Sequence, residues 1–141
     1  MNKVCAAARD YMRTYRSMEY SIESRMEQLR RMRARLYGLT KELTDMPRGG
    51  SQADWTDLSA QCIEMEKDLA DEIRLMRARQ AEIRNAIALL PNERWQSVLN
   101  LRYIAGYGWD TVAMKMGLDS KYVIQLNREA LGKIHVPMRD L

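Results

Sequence analysis

The sequence predicts an all-α protein: a long antiparallel coiled-coil hairpin followed by three short helices. Three observations predict it. Apolar residues recur at alternating steps of four and three from Tyr11 to Met46, the spacing of a helical seam. A segment carrying Pro47, Gly49 and Gly50 then interrupts the rhythm, and a second seam follows. From Leu90 onward the apolar periods shorten, with Gly106 and Gly117 between them. The 141 residues are rich in Met, Leu, Arg and Glu and contain no Phe, a composition of good helix formers.

The first seam reads Tyr11, Tyr15, Met18, Ile22, Arg25, Leu29, Met32, Leu36, Leu39, Leu43 and Met46. Arg25 is its one polar member; it can fix register or lay its aliphatic stem along the seam. The breaker "DMPRGGSQADW" spans residues 45–55, with Ser51 or Asp54 as cap for the next helix. The second seam runs through Trp55, Leu58, Cys62, Met65, Leu69, Ile73, Met76, Ile83, Ile87 and Leu90, and its rhythm drifts near Arg79 and Gln80. A short turn between two long helices makes them antiparallel neighbours. With the turn centred near Gly49 and Gly50, facing residue numbers sum to about 99. Arg31, Arg33 and Arg35 then face Asp68, Glu66 and Glu64, and Arg77 and Arg79 fall near Glu19 and Glu23. Opposite charges in flanking positions specify register. The runs "RRMRAR" and "LMRAR" therefore need no nucleic acid, although a phosphate-binding face is the alternative reading. Met12, Met26, Ile63 and Leu75 lie beside the seams and widen the apolar stripe. They could pack a second copy, giving a homodimer through the hairpin, or pack the C-terminal module. Residues 1–88 are accordingly expected to form the N-terminal hairpin, for oligomerisation or partner docking, and 89–141 a second domain.

Composition bounds the function. A formal net charge of +4 agrees with an acidic partner. No apolar run approaches the roughly 20 residues of a membrane span, and the opening "MNKVCAAARDY" meets Arg9 and Asp10 too early for a secretory signal. A cytoplasmic protein with no membrane partner is expected. Cys5 and Cys62 lie far apart, form no CxxC pair, and share the chain with a single histidine, His135. Zinc wants four nitrogen or sulfur ligands at close spacing, so no metal site is expected and both thiols are expected free. With one histidine and no phosphate-cradling Gly loop, an enzyme is not expected, nor a cofactor; "GYG" at 106–108 reads as a turn.

The second half is read helix by helix. "LPNERWQSVLNLRYIAG" places Pro91 just inside a helix start, then Trp95, Val98, Leu99, Leu101 and Tyr103, then Gly106. "GYGWDTVAMKMG" is a tight turn and a two-turn helix with Trp109, Val112, Ala113 and Met116 inward, closed by Gly117. Asp119 caps the last helix, whose apolar residues are Val123, Leu126, Ala130, Leu131 and Ile134. Trp95 and Trp109 read as core. A short helix, a Gly-containing turn and a longer capped helix make a helix-turn-helix. In that motif the N-terminal residues of the second helix lead into the DNA major groove.

The residues also resemble a family. "LPNERWQSVLNLRY", Gly106 and "DTVAMKMGLDSKYVIQLNREALGKI" are similar to region four of bacterial sigma factors, the module that reads the upstream promoter element. The matching positions are Leu90, Pro91, Arg94, Val98, Leu99, Leu101, Arg102, Tyr103, Gly106, Val112, Ala113, Gly117, Val123, Arg128, Ala130 and Leu131. The tail "HVPMR" echoes the segment that follows this helix in primary sigma factors. The chain departs from the pattern at Gly108, where the family favours a Ser or Thr cap. It departs again at Ser120 and Ile124, where primary sigma factors carry basic residues, so the base preference should differ. The first half has no counterpart of the sigma module that grips polymerase. The whole layout resembles phage-encoded late-gene regulators of the RinA and ArpU type.

The resemblance implies base contacts from Ser120, Lys121, Ile124 and Gln125. Their chemistry agrees: Gln pairs bidentately with adenine, Lys reaches guanine, and Ile124 meets a thymine methyl. Lys115, Tyr122, Arg128 and Lys133 are placed for phosphates, which give affinity without sequence. The expected function is a sequence-specific DNA-binding transcription regulator, phage or prophage encoded, acting on double-stranded DNA in the nucleoid with RNA polymerase as a possible second partner. Two alternatives stand beside it: a small-terminase-like packaging protein, and a coiled-coil adaptor whose helix-turn-helix binds protein.

Overall fold

The computed structural model describes residues 2–45 and 52–141, the side chains at 39, 40, 42–45 and 52–55 excepted. The expected turn at Met46, Pro47, Gly49, Gly50 and Ser51 lies outside the described residues, as do the side chains of Leu39, Leu43, Asp54 and Trp55. The fold is all-α. Helix α1 spans Lys3–Asp45 and α2 spans Gln52–Ala88; α3 (Glu93–Leu99) passes into a π-helical turn over Asn100–Ile104; α4 covers Trp109–Met116 and α5 Ser120–Lys133; a 3-10 turn follows at Met138–Asp140. No strand occurs among the described residues. Among them, no helix is long and apolar enough to cross a membrane.

The chain divides into two compact units. One contains residues 1–19 with 78–141, the other residues 20–77. The expected division at 88/89 follows the change of apolar period near Leu90, whereas compactness draws its lines inside the long helices.

In the unit of residues 20–77 the two helices pair antiparallel. Arg33 Nε donates to Glu66 Oε1 at 2.8 Å, a pair whose numbers sum as the register predicts. Arg25, the polar member of the first seam, reaches Glu72 across the pair. It is half-buried, so its stem follows the apolar surface while the guanidinium is neutralised at the rim. Arg31 departs from the expected pairing and bonds Glu27 on its own helix at 3.3 Å, because residues four apart share a helix face. Met65, expected in the second seam, is 55 % exposed. Cys62 is buried there and Leu58, Leu69, Ile73 and Met76 are half-buried. Ile63 and Leu75 point outward.

In the other unit the two long helices meet around a polar residue. Gln80 is 2 % exposed; its Nε2 donates to the Tyr15 carbonyl at 3.2 Å and to Glu19 at 2.7 Å. The steps Met76, Gln80, Ile83, Ile87 are four, three and four, so the rhythm does not drift at Gln80. It admits a buried amide, which an apolar count passes over. Ala8, Tyr11, Met12, Tyr15, Ile83, Ile87 and Leu90 share one hydrophobic cluster with Leu99, Tyr103, Ala130, Leu131 and Ile134. Met12, read as a widening of the stripe, is fully buried in this cluster, so at this position the stripe packs C-terminal helices. A second cluster joins Val98, Val112, Ala113, Val123 and Leu126, with Trp95 and Trp109 packed against it. Each large side chain buried in these clusters stabilises by about 1.5–3 kcal/mol.

Candidate nucleic-acid interface

The C-terminal helices are fixed by local chemistry. Asn92 caps α3: its side chain accepts from the backbone N–H of Arg94 and Trp95. Pro91 thus lies one residue before the cap. The chain leaves the π-helical turn through Gly106, at φ +82°, and enters α4 at Gly108, which has no side-chain cap. At the end of α4 Gly117 takes φ +66°, the left-handed conformation. Its N–H reaches the Met114 carbonyl at 3.2 Å and the Leu118 N–H reaches Ala113 at 3.0 Å. This reciprocal pair satisfies two orphan carbonyls and turns the chain sharply. Gly117, Leu118 and Asp119 then connect directly to α5. Asp119 occupies the cap position in an extended conformation, yet its side chain makes no capping bond. The expected aspartate cap is therefore absent at the side-chain level.

Helix α5 is held by Val123, Leu126, Asn127, Ala130 and Leu131, all buried. Asn127 belongs to this inward set although it is polar; it donates to the Tyr103 hydroxyl. The opposite face carries Lys121, Gln125 and Arg128, all exposed, at steps of four and three that align them in one row. Of the remaining expected base-contact residues, Ser120 and Ile124 are half-buried at the edge of this face. Ser120 Oγ donates to Asp110 Oδ1 at 3.3 Å, tying the start of α5 to the start of α4.

The expected phosphate-contact residues Lys115, Tyr122, Arg128 and Lys133 are exposed. Lys115 sits over the Tyr107 ring at 4.9 Å. The Tyr122 hydroxyl accepts from Arg94 at 3.0 Å, with the guanidinium 5.8 Å from the ring centre. Arg94 thus adds a cation beside Tyr122. Gln125 Nε2 donates to Glu129 Oε1 at 3.2 Å, while Glu129 Oε2 accepts from Trp95 Nε1 at 3.1 Å. This short chain holds the Gln125 amide at its place on the outward row. It also places one carboxylate beside the cationic row, a feature the sequence reading gave no role.

Helix α1 carries a basic flank that its apolar seam does not announce. Arg9, Arg13 and Arg16 recur at steps of four and three, beside the buried face of Ala8, Met12 and Tyr15. Arg13 and Arg16 meet Arg102, Tyr103 and Gly106 around a cavity of about 250 Å³. Burial raises the Tyr103 hydroxyl pKa, against the opposing pull of the Asn127 hydrogen bond and of Arg102, Arg13 and Arg9. The signal available in the sequence was the spacing of Arg9, Arg13 and Arg16 alone.

No curated protein and no solved structure matches the chain. A family model does, and it takes in the last part of α1 and all of α2, α3, α4 and α5. The chain therefore belongs to the family described as "Protein of unknown function (DUF1492)", matched over residues 37–135.

Proposed function

We propose that this protein is a sequence-specific DNA-binding transcription regulator, phage or prophage encoded, acting in the cytoplasm of a bacterial host. In this reading α4 and α5 are a helix-turn-helix of the sigma region-four kind, and α5 enters the major groove. The observation that carries it is the exposed row Lys121, Gln125 and Arg128 on a short helix whose other face is buried and whose start follows a three-residue turn. Such a row offers the Lys121 ammonium and the Gln125 amide to base edges. Arg128 at its end, Lys115, Arg94 with Tyr122, and Lys133 supply groups suited to phosphates. Ser120 and Ile124 sit at its edge, so they would touch bases only at the margin of the contact. The paired long helices would serve as a dimerisation or polymerase-docking element, with the exposed Ile63, Met65 and Leu75 among the apolar contacts on offer.

The test begins with selection of a preferred site from random duplexes by the purified protein. Gln125→Ala should then cost about 1–3 kcal/mol at that site and almost nothing on random DNA. Lys133→Ala should weaken both and flatten the salt dependence by about one counterion. An unchanged affinity of Gln125→Ala for the selected site would show that this face is not the reader. If no sequence is enriched and mild salt abolishes binding, a protein-binding adaptor becomes the better account.

A further inference from the structure

We propose that the cavity ringed by Arg13, Arg16 and Arg102 binds a phosphate group. The ligand chemistry is a tetrahedral oxyanion, carried either on a nucleic-acid backbone or as a free phosphate species. Three guanidinium groups line a space of about 250 Å³ together with Tyr103 and Gly106, and no carboxylate lines it. That volume is below the roughly 300–1,000 Å³ of pockets for drug-sized ligands and suits a small anion. Guanidinium is the side chain whose planar fork matches phosphate oxygens in pairs.

Two of the three arginines are already oriented. Arg16 Nη1 donates to the Ala105 carbonyl at 3.0 Å and the Ile104 carbonyl at 3.4 Å. Arg102 Nη1 donates to the Tyr107 carbonyl at 3.1 Å, and its guanidinium lies 4.4 Å from the Trp109 ring centre. Neither Arg13 nor Arg102 has an ion-pair partner among the described residues. The positive charges of Arg13 and Arg102 repel one another, and an anion between them relieves that repulsion. Gly106 keeps the wall open: a Cβ there would stand 2.5 Å from Arg16 Cζ. Tyr103 also lines the cavity, and a tyrosine hydroxyl carries a proton to donate. Tyr107, next to the cavity wall, stacks under Lys115, so the cationic surface continues from the cavity onto α4. The proposal stands on these contacts alone and does not require α5 to read DNA.

The full chain tests it in two arms. In the first, melting is compared in pyrophosphate and in chloride at matched ionic strength, for the wild type and for Arg13→Gln. Arg13 is exposed, so its substitution leaves the packed core intact, which far-ultraviolet circular dichroism verifies. Pyrophosphate should raise the wild-type melting temperature by several degrees, as any ligand of the folded state does, and Arg13→Gln should lose most of that rise. In the second arm, binding to a random-sequence duplex is followed across salt. If a nucleic-acid backbone supplies the phosphate, Arg13→Gln weakens duplex binding several-fold and lowers the salt slope by about one, and pyrophosphate competes. If a free species supplies it, the melting shift appears while duplex binding is unchanged. A wild-type shift kept in full by Arg13→Gln, or no shift together with unchanged duplex binding, overturns the proposal. A shift without any DNA binding leaves the cavity standing and removes the DNA reading; site-specific DNA binding with neither effect of Arg13→Gln does the reverse.

Discussion

Gln80 stands where the heptad rhythm calls for an apolar side chain. Its amide is consumed by the Tyr15 carbonyl and the Glu19 carboxylate, so it is a satisfied polar group in an apolar seam. Such groups specify pairing at some cost in stability. Gln80→Leu should therefore unfold at an equal or higher urea midpoint than the wild type, while Gln80→Ala, which leaves a void, should lose about 1–3 kcal/mol. A large loss in the leucine variant would show that the amide is a net stabiliser. The two left-handed glycines offer a second comparison. Gly117 has nothing within 4 Å of an added Cβ, whereas at Gly106 the Arg16 guanidinium occupies that space. Both alanine variants carry the strain of a positive φ, about 1–2 kcal/mol. Gly106→Ala must also displace Arg16, so its urea midpoint should fall below that of Gly117→Ala. Both glycines were legible in the sequence as turn residues. The arginine beside Gly106 was not, because it comes from a helix far away along the chain.

At the scale of elements, the short turn at Met138–Asp140 is tied down by one carboxylate. Arg139 Nη2 bonds Glu82 Oε1 at 2.7 Å, and the Tyr11 hydroxyl donates to the same oxygen at 2.9 Å. The Arg139 bond, then the Tyr11 bond, holds the Glu82 carboxyl below its usual range. A depressed carboxylate stabilises the folded state above its unfolded pKa and loses that contribution as pH falls through the folded value. Carboxyl resonances from nuclear magnetic resonance should show Glu82 titrating below the ordinary carboxylate range. Glu82→Gln should remove the acid-side release of the turn and bring the Tyr11 hydroxyl, now raised by burial and by this carboxylate, back toward its usual value. A Glu82 that titrates normally would show that the anchor is not formed in solution. The elements themselves were well announced by the sequence, because periodicity and glycines are local signals. Caps were announced less well. Pro91, expected just inside α3, lies one residue before its cap Asn92, and Asp119 holds a cap position without its bond, since a capping bond depends on a side-chain rotamer that spacing does not encode.

At the scale of the molecule, the cluster around Met12 and Leu131 crosses the boundary that the change of apolar period draws at 88/89. Ala8, Tyr11, Met12, Ile83 and Ile87 pack with Leu99, Tyr103, Ala130 and Leu131. A fragment of residues 89–141 would expose one side of that cluster to water. It should melt at a lower temperature than the full chain and with less cooperativity, and adding residues 1–88 in trans should raise it. A fragment as stable as the whole would show that residues 89–141 fold without residues 1–88. Periodicity could not reveal this sharing. It reports which face of a helix is apolar, not which distant helix covers it, so Met12 was legible as a surplus apolar residue without a destination. The outward row of α5 was legible because a polar face on a short helix is itself a local pattern. The Arg13, Arg16 and Arg102 cavity needed three dimensions.

That shared cluster also sets an order of events during synthesis. Residues 20–77 make their contacts within one stretch of chain, so their pairing can begin early. The other unit must wait: Cys5 meets the Arg128 carbonyl across 123 positions. At ~5–20 residues per second, that separation leaves Ala8, Tyr11 and Met12 without their final partners for roughly 6–25 s on the ribosome. During this interval an apolar flank of a nascent helix is open to chaperones and to other chains.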